Sequence, residues 1–155
     1  MIFTDLTYKA MKIAYKAHEG QVDALGAPYI FHPARVGAAF DTEAEVCVGL
    51  LHDVVEDTNV TIEDLRNEGF TEDILKALSL MTHDKSVPYM DYVVLIAEDP
   101  IAKAVKIEDL KDNINREPEG EKRSEKRLEK HIKTSEDLEA FRDTYGITEE
   151  IKTIY

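Results

Sequence analysis

The sequence predicts an all-α protein, and three observations carry that prediction. Apolar residues recur at helical spacing, alternating β-branched runs are few, and Pro and Gly fall mostly between the periodic segments. With 155 residues and 43% hydrophobic content, the chain suits one domain, residues 1–155, built on one contiguous core.

The first helix runs from a cap at Thr4 or Asp5 to about His18, with Leu6, Ala10, Ile13, Ala14 and Ala17 on its apolar face, and Gly20 ends it. A turn at Gly26-Ala27-Pro28 leads into Tyr29-Ile30-Phe31-His32-Pro33. Pro33 suits a helical first turn, so a second helix covers Ala34 to Phe40 with His32 at or just before its N-terminus. Asp41-Thr42 with Glu45 forms a capping box for a third helix, Glu43 to about Val55, whose Ala, Val and Leu content places it at the centre of the bundle. Thr61 starts a short helix, Thr71 caps another through Leu80, and a longer one covers about Val87 to Glu98. Asp99-Pro100 opens the next, Ile101 to about Asn115, which ends before Pro118-Glu119-Gly120. From Glu121 to Lys133, Glu and Lys each recur every four residues, which reads as a solvated, mixed-charge helix. A further helix from Ser135 through Phe141 and Tyr145, a Gly146 stop and a short terminal helix complete the chain.

A net charge of −13 argues against gripping a nucleic-acid polymer, because such binding needs many cations to neutralise phosphates. A small phosphorylated ligand is compatible, since its charge would be met locally. The single cysteine, Cys47, sits among Val46, Val48 and Leu50 as a buried thiol and points to a reducing compartment. No leader-like segment or membrane-length apolar run is present, so a soluble cytoplasmic protein without membrane attachment is expected. Oligomeric state is not encoded legibly, a homo-oligomer included.

The residues that carry chemistry cluster at the end of the third helix. His52-Asp53 interrupts an apolar run with consecutive ligand-capable side chains, and a buried charge needs a partner. Taken alone, such a pair is more often a solvent-exposed helix end. Here it continues as His52-Asp53-Val54-Val55-Glu56-Asp57-Thr58. If helical turns persist, Glu56 lies one turn from His52 and Asp57 one turn from Asp53, putting both acids beside the pair. So much acid at a helix C-terminus opposes the macrodipole, and a divalent cation would resolve the conflict. Imidazole with carboxylate suits a borderline-to-hard ion.

Together with Ala17-His18-Glu19-Gly20-Gln21, Gly26 through Pro33, and Val105-Lys106-Ile107-Glu108-Asp109, this segment resembles the RelA/SpoT-type alarmone hydrolase domain, in that order and over roughly Leu6 to Asn113. In length the chain is similar to the stand-alone small alarmone hydrolases. The resemblance implies an HD-domain helical bundle, metal ligands at His32, His52, Asp53 and Asp109, a catalytic acid pair at Glu56 and Asp57, and manganese as the ion, with another divalent transition metal as the alternative. It also implies that Asn113 lies against ribose and base. One helical turn separates Asp109 from Asn113, so the two share a face. The chain departs from the family in two places. Asp23-Ala24 stands where an Arg-Lys pair is usual, and Asp109-Leu110-Lys111-Asp112-Asn113 replaces Asp-Arg-Leu-His-Asn.

The reaction the resemblance implies is removal of pyrophosphate from the ribose 3′ position of guanosine tetra- or pentaphosphate, with Glu56 the first choice to handle the proton. Lys106 and Arg116, expected on the same helix as Asp109, are candidate phosphate contacts. Lys106 could instead pair with Asp109 or Glu98. Tyr29 either packs under the site or touches substrate. His18 is expected to hydrogen-bond the Gly26–His32 loop, His83 and His131 to lie at the surface, and Tyr89, Tyr92, Phe141 and Tyr145 to serve packing. Two other readings stand beside this one: a phosphohydrolase of the same fold acting on another nucleotide or phosphorylated metabolite, and a non-catalytic nucleotide-binding domain.

Overall fold

The computed structural model describes residues 1–144. Its elements are α1 (Asp5–Ala17), α2 (Phe31–Ala38), α3 (Glu43–Leu51), α4 (Val54–Asp57), α5 (Ile62–Asn67), α6 (Glu72–Met81), α7 (Tyr89–Glu98), α8 (Pro100–Asn115) and α9 (Glu125–Thr144), with a 3-10 turn over Gly120–Lys122 before α9. The expected all-α class holds, and the β-type pairing among the described residues is an isolated bridge between Val22 and Pro28.

Local chemistry explains where the helices start. The Thr4 hydroxyl accepts from Thr7 N–H at the head of α1, Thr61 and Asp64 form a reciprocal capping box on α5, and the Asp99 carboxylate accepts from Ala102 N–H with Pro100 at the next position. Thr42 caps α3 by accepting from Glu45 N–H, but the box does not close. The Glu45 carboxylate takes the Thr42 hydroxyl proton instead of the backbone amide. Thr71 likewise turns its hydroxyl to Asp73 and leaves α6 without a side-chain cap.

α3 is the central element, and Val46 through Leu51 are all buried, which is why its sequence is apolar on every face. It packs on α1, α2, α6 and α8, and α8 in turn packs on α2, α6, α7 and α9. α2 and α3 cross at two glycines. A Cβ on Gly49 would stand 2.8 Å from Gly37 Cα and 2.9 Å from Gly37 N, so only glycine permits this approach. The crossing lays the start of α2 over the end of α3.

Three boundaries differ from expectation. α3 stops at Leu51, and His52-Asp53 form a turn before the single turn of α4, although Asp57 N–H still reaches Asp53 carbonyl at 3.0 Å. α2 begins at Phe31, so His32 lies inside its first turn. Successive turns bonding Phe31 to Pro28, His32 to Tyr29 and Ala34 to Ile30 start the helix early, and Pro33 tolerates a position whose N–H needs no partner. The charged segment and the segment from Ser135 are one helix, α9, starting at Glu125. With no Gly or Pro between them, Thr134 bonds its hydroxyl to Lys130 carbonyl within the helix. Tyr145, the Gly146 stop and the expected terminal helix lie outside the described residues.

Candidate metal and phosphate site

The break between α3 and α4, the first turn of α2 and the middle of α8 meet at one point. His32 and His52 are 1% and 3% exposed and Asp109 is 3% exposed, and their ligand-capable atoms lie within 4.8 Å of one another. His32 Nε2 is 3.2 Å from His52 Nε2 and 3.1 Å from Asp109 Oδ1, and His52 Nε2 is 3.4 Å from Asp109 Oδ1. Asp53 Oδ2 joins them, 3.0 Å from His52 Nε2 and 3.5 Å from His32 Nε2. The Tyr29 hydroxyl donates to that oxygen at 2.5 Å.

The other atoms of these residues show which protons are where. His32 Nδ1 lies 2.6 Å from Asp112 Oδ2, and His52 Nδ1 lies 2.7 Å from the Gly49 carbonyl. A carboxylate and a carbonyl only accept, so both Nδ1 atoms donate and each ring turns its Nε2 inward, where the neutral form presents a lone pair. Two imidazole Nε2 atoms and two carboxylate oxygens therefore face one another at 3.0–3.5 Å. Two ligands about 2.1 Å from a common ion, at tetrahedral to right angles, stand roughly 3.0–3.4 Å apart. The donor set and its spacing fit a divalent cation.

The protonation tendencies show the same demand for positive charge. Burial opposes charging His52, yet Asp53 and Asp109 outweigh it and hold His52 well above the usual imidazole range. Burial likewise works against ionised Asp109, but Lys106 and the two histidines keep it well below the usual carboxylate range. Lys106 Nζ donates to Asp109 Oδ2 at 2.8 Å, and Asn113 Nδ2 donates to Asp109 Oδ1 at 2.9 Å. Of the candidate substrate contacts, Lys106 and Asn113 are thus held on Asp109, and Tyr29 is held on Asp53. The Arg116 guanidinium lies 5.6 Å above the Tyr29 ring, donates to Asn113 Oδ1 at 2.5 Å and sits 3.9 Å from Asp23 Oδ2.

Glu56 and Asp57 follow the break but look different ways. Glu56 lines a cavity of about 160 Å³ with His83, Lys106, Lys130 and His131, walled by Tyr89, Tyr92, Leu110 and Thr134. Asp57 borders a wider groove of about 740 Å³ between α1 and α5. Glu56 is raised by burial and by the charges of Asp57 and Asp53, and Asp57 by burial and Asp53. The two acids share the neighbourhood of the ligands without sharing a pocket.

Three histidines depart from expectation. His83 and His131 are not plain surface residues, because α7, α8 and α9 fold over Glu56 and bring both into its cavity. His131 Nδ1 is buried there without a protein partner. His18 is buried and lays its ring 5.0 Å from Tyr29, but its Nδ1 pairs with Gln21 Oε1 at 2.8 Å rather than with the Gly26–His32 loop. Asp23 faces inward. Its Oδ1 accepts from Leu25 and Ala27 N–H at 2.8 and 3.0 Å, so it shapes the loop that carries Tyr29. Sequence reasoning missed Gly49, Asp112 and Arg35. The small-residue pair Gly37 and Gly49 was a signal available for the first, whereas the other two depend on pairing between α2 and α8.

No family model matches the chain. It is 43% identical over 83 residues to a Borreliella burgdorferi protein named guanosine-3′,5′-bis(diphosphate) 3′-pyrophosphohydrolase, a match covering 50% of this chain and 12% of that one. It is 30% identical over 118 residues to the Aquifex aeolicus protein of the same name, covering 68% and 17%. The chain thus spans less than a fifth of the length of these relatives. A solved structure, described as a metazoan ortholog of SpoT that hydrolyzes ppGpp and plays a role in starvation responses, superposes with a TM-score of 0.70 at 24% identity, over 89% of this chain and 85% of that one. That likeness shows that the chain has the HD fold. Sequence kinship over 50% and 68% of its length, together with the shared fold, relates the chain to the RelA/SpoT-type HD-domain hydrolases.

Proposed function

We propose that the chain is a metal-dependent phosphohydrolase that removes pyrophosphate from the 3′ position of guanosine tetra- or pentaphosphate. The observation that carries this reading is the convergence of two imidazole nitrogens and two carboxylate oxygens at 3.0–3.5 Å. The names of the relatives point to the same reaction. In this reading His32, His52, Asp53 and Asp109 hold the ion, and the nitrogen-oxygen set suits manganese. When bound, such an ion polarises a phosphoryl oxygen and acidifies a coordinated water.

The protein's own residues do the rest. Glu56, raised by its buried, acid-rich setting, accepts the proton released as water attacks phosphorus, and Asp57 keeps its affinity for that proton high. Lys106, Lys130, His83 and His131 surround Glu56 with donors for the departing pyrophosphate. Tyr29, with Arg116 laid across it, and Asn113 form the side that would meet the nucleoside.

A second reading, a phosphohydrolase for another phosphorylated metabolite, is favoured by one observation. Asp23 is spent on the loop amides and Arg116, so this loop offers no cation to a substrate. The test is manganese-dependent product release from a panel of guanosine tetraphosphate, deoxynucleotides and phosphorylated cofactors. Pyrophosphate from guanosine tetraphosphate is expected; orthophosphate release alone would overturn the alarmone assignment.

A further inference from the structure

The shell behind His32 contains a device that reaches the protein surface. His32 Nδ1–H donates to Asp112 Oδ2, the two atoms 2.6 Å apart, while the Arg35 fork grips the same carboxylate, Nε to Oδ1 at 2.7 Å and Nη2 to Oδ2 at 3.0 Å. Arg116 Nε approaches Oδ2 at 3.3 Å without hydrogen-bond geometry, and its Nε has no other protein partner. Asp112 is thus enclosed, with 15% of its side chain exposed, while Arg35 is 50% exposed. It stands at one of the positions where the chain departs from the family's usual run.

Resting on the reading of His32 as a metal ligand, we propose that Arg35 and Asp112 are positioning residues that set the tautomer and orientation of His32, so that a surface arginine tunes metal affinity. The steps are short. An ionised carboxylate accepts only, so Nδ1 keeps its proton and Nε2 keeps its lone pair toward His52, Asp53 and Asp109. The planar guanidinium binds both carboxylate oxygens and fixes the plane in which Oδ2 meets the ring. Burial alone would favour the neutral acid, and Arg35 and His32 together hold Asp112 below the usual carboxylate range. An ordinary interhelical ion pair between α2 and α8 would need Arg35 and Asp112 only. The third member, an imidazole whose far nitrogen enters the cluster, is what makes this a ligand-orienting chain.

The experiment is titration of the chelator-stripped full chain with Mn²⁺ by calorimetry, comparing the native protein with Asp112→Ala, Arg35→Met and His32→Ala. Long-range proton–nitrogen spectra of the histidines, recorded without metal and with diamagnetic Zn²⁺, read the tautomer directly. Removing an outer partner of a metal-bound histidine weakens metal binding roughly 10–100-fold. We expect a loss in that range for Asp112→Ala, a smaller loss for Arg35→Met, and a His32 Nδ1–H signal that persists in the native protein and is redistributed in Asp112→Ala. Should Asp112→Ala not fold, Arg35→Met decides, since it alters an exposed side chain. Native-like Mn²⁺ affinity in the folded variants, or a His32 proton on Nε2 in the native protein, overturns the inference. A lowered melting temperature with unchanged affinity and tautomer would mean a purely structural ion pair and also overturns it. If the native protein and His32→Ala bind Mn²⁺ alike, it is the assignment of His32 as a ligand that fails.

Discussion

Gly49→Ala tests how the fold sets the spacing of the histidine pair. A Cβ at this position would stand 2.8 Å from Gly37 Cα, where unstrained carbons keep about 3.5–4.0 Å, so α2 must retreat by roughly 1 Å. The obstacle is backbone, and no rotamer change relieves it. Overpacking of this kind costs about 1–3 kcal/mol, and better helix propensity returns about 0.5–1 kcal/mol. A net loss on the order of 1–2 kcal/mol lowers the melting temperature by roughly 2–8 °C in a chain of this size. The same shift carries His32 on α2 away from His52 at the end of α3. Their nitrogens, now 3.2 Å apart, would move beyond the roughly 3.4 Å that two ligands of one small ion span. Each tenfold loss of affinity removes about 1.4 kcal/mol of the stabilisation that saturating metal confers. The assay is thermal unfolding in chelator and in excess Mn²⁺. The variant should melt lower in chelator and gain less from Mn²⁺ than the native protein. Gly37→Ala is the milder comparison, because its Cβ would come no nearer than 3.0 Å to the Leu50 side chain and 3.4 Å to the Val46 carbonyl, where Gly49→Ala meets backbone at 2.8 Å. A Gly49→Ala protein with native melting behaviour in both conditions refutes the reasoning.

Glu56→Gln should leave Mn²⁺ binding intact, measured by calorimetry, while turnover falls by about 10²–10⁴-fold as expected for a lost proton acceptor; an undiminished rate removes Glu56 from the mechanism. Because Asp57 raises Glu56, Asp57→Asn should move the acidic limb of the kcat/KM profile to lower pH, and a limb that stays in place or rises contradicts the coupling. In metal-free protein, folded His52 holds its proton more tightly than unfolded His52. The stabilisation is complete below the ordinary imidazole range and lost as pH rises through the raised folded value, so melting in chelator should fall across that window. Metal competes with that proton, so Mn²⁺ affinity should rise over the same window, and a pH-independent affinity would contradict proton displacement. Lys106→Met leaves Asp109 Oδ2 without its partner at 2.8 Å, and metal-free stability should drop by about 3–5 kcal/mol, the cost of stranding one charge of a buried pair; a neutral melting curve would show that Asp109 is solvated instead.

What could be read before folding was whatever the chain encodes within a few residues. The caps at Thr4, Thr61 and Asp99 are local hydrogen bonds, and each appears where the residue types demand it. The density of His52, Asp53, Glu56 and Asp57 is likewise local, and marked the α3–α4 junction as the place where chemistry gathers. What escaped was set by contact between distant elements. Helical periodicity could not show that the chain turns at His52-Asp53, because no Gly or Pro marks the break in the sequence. Nor could it show Asp112 receiving the proton of His32, a contact across 80 positions, since Asp112 reads as an ordinary exposed acid beside Lys111. His83 and His131 looked solvated for the same reason: nothing in their own segments announces that α7 and α9 close over Glu56.

The protein carries a net charge of −13, and its buried cluster sets the carboxylates of Asp53 and Asp109 against the inward nitrogens of His32 and His52. Each inward acid has been given a neutral or cationic partner on its outer side. Tyr29 supports Asp53, Lys106 and Asn113 support Asp109, and Asp112 and the Gly49 carbonyl turn the imidazole protons outward. Those partners orient the ligands without neutralising the inner face, where acceptor still meets acceptor. A proton on His52 can relieve this only in part, because one proton cannot lie between four acceptors at once. A divalent ion can. The geometry that sets these acceptors against one another in the metal-free core is therefore the geometry that suits a divalent ion.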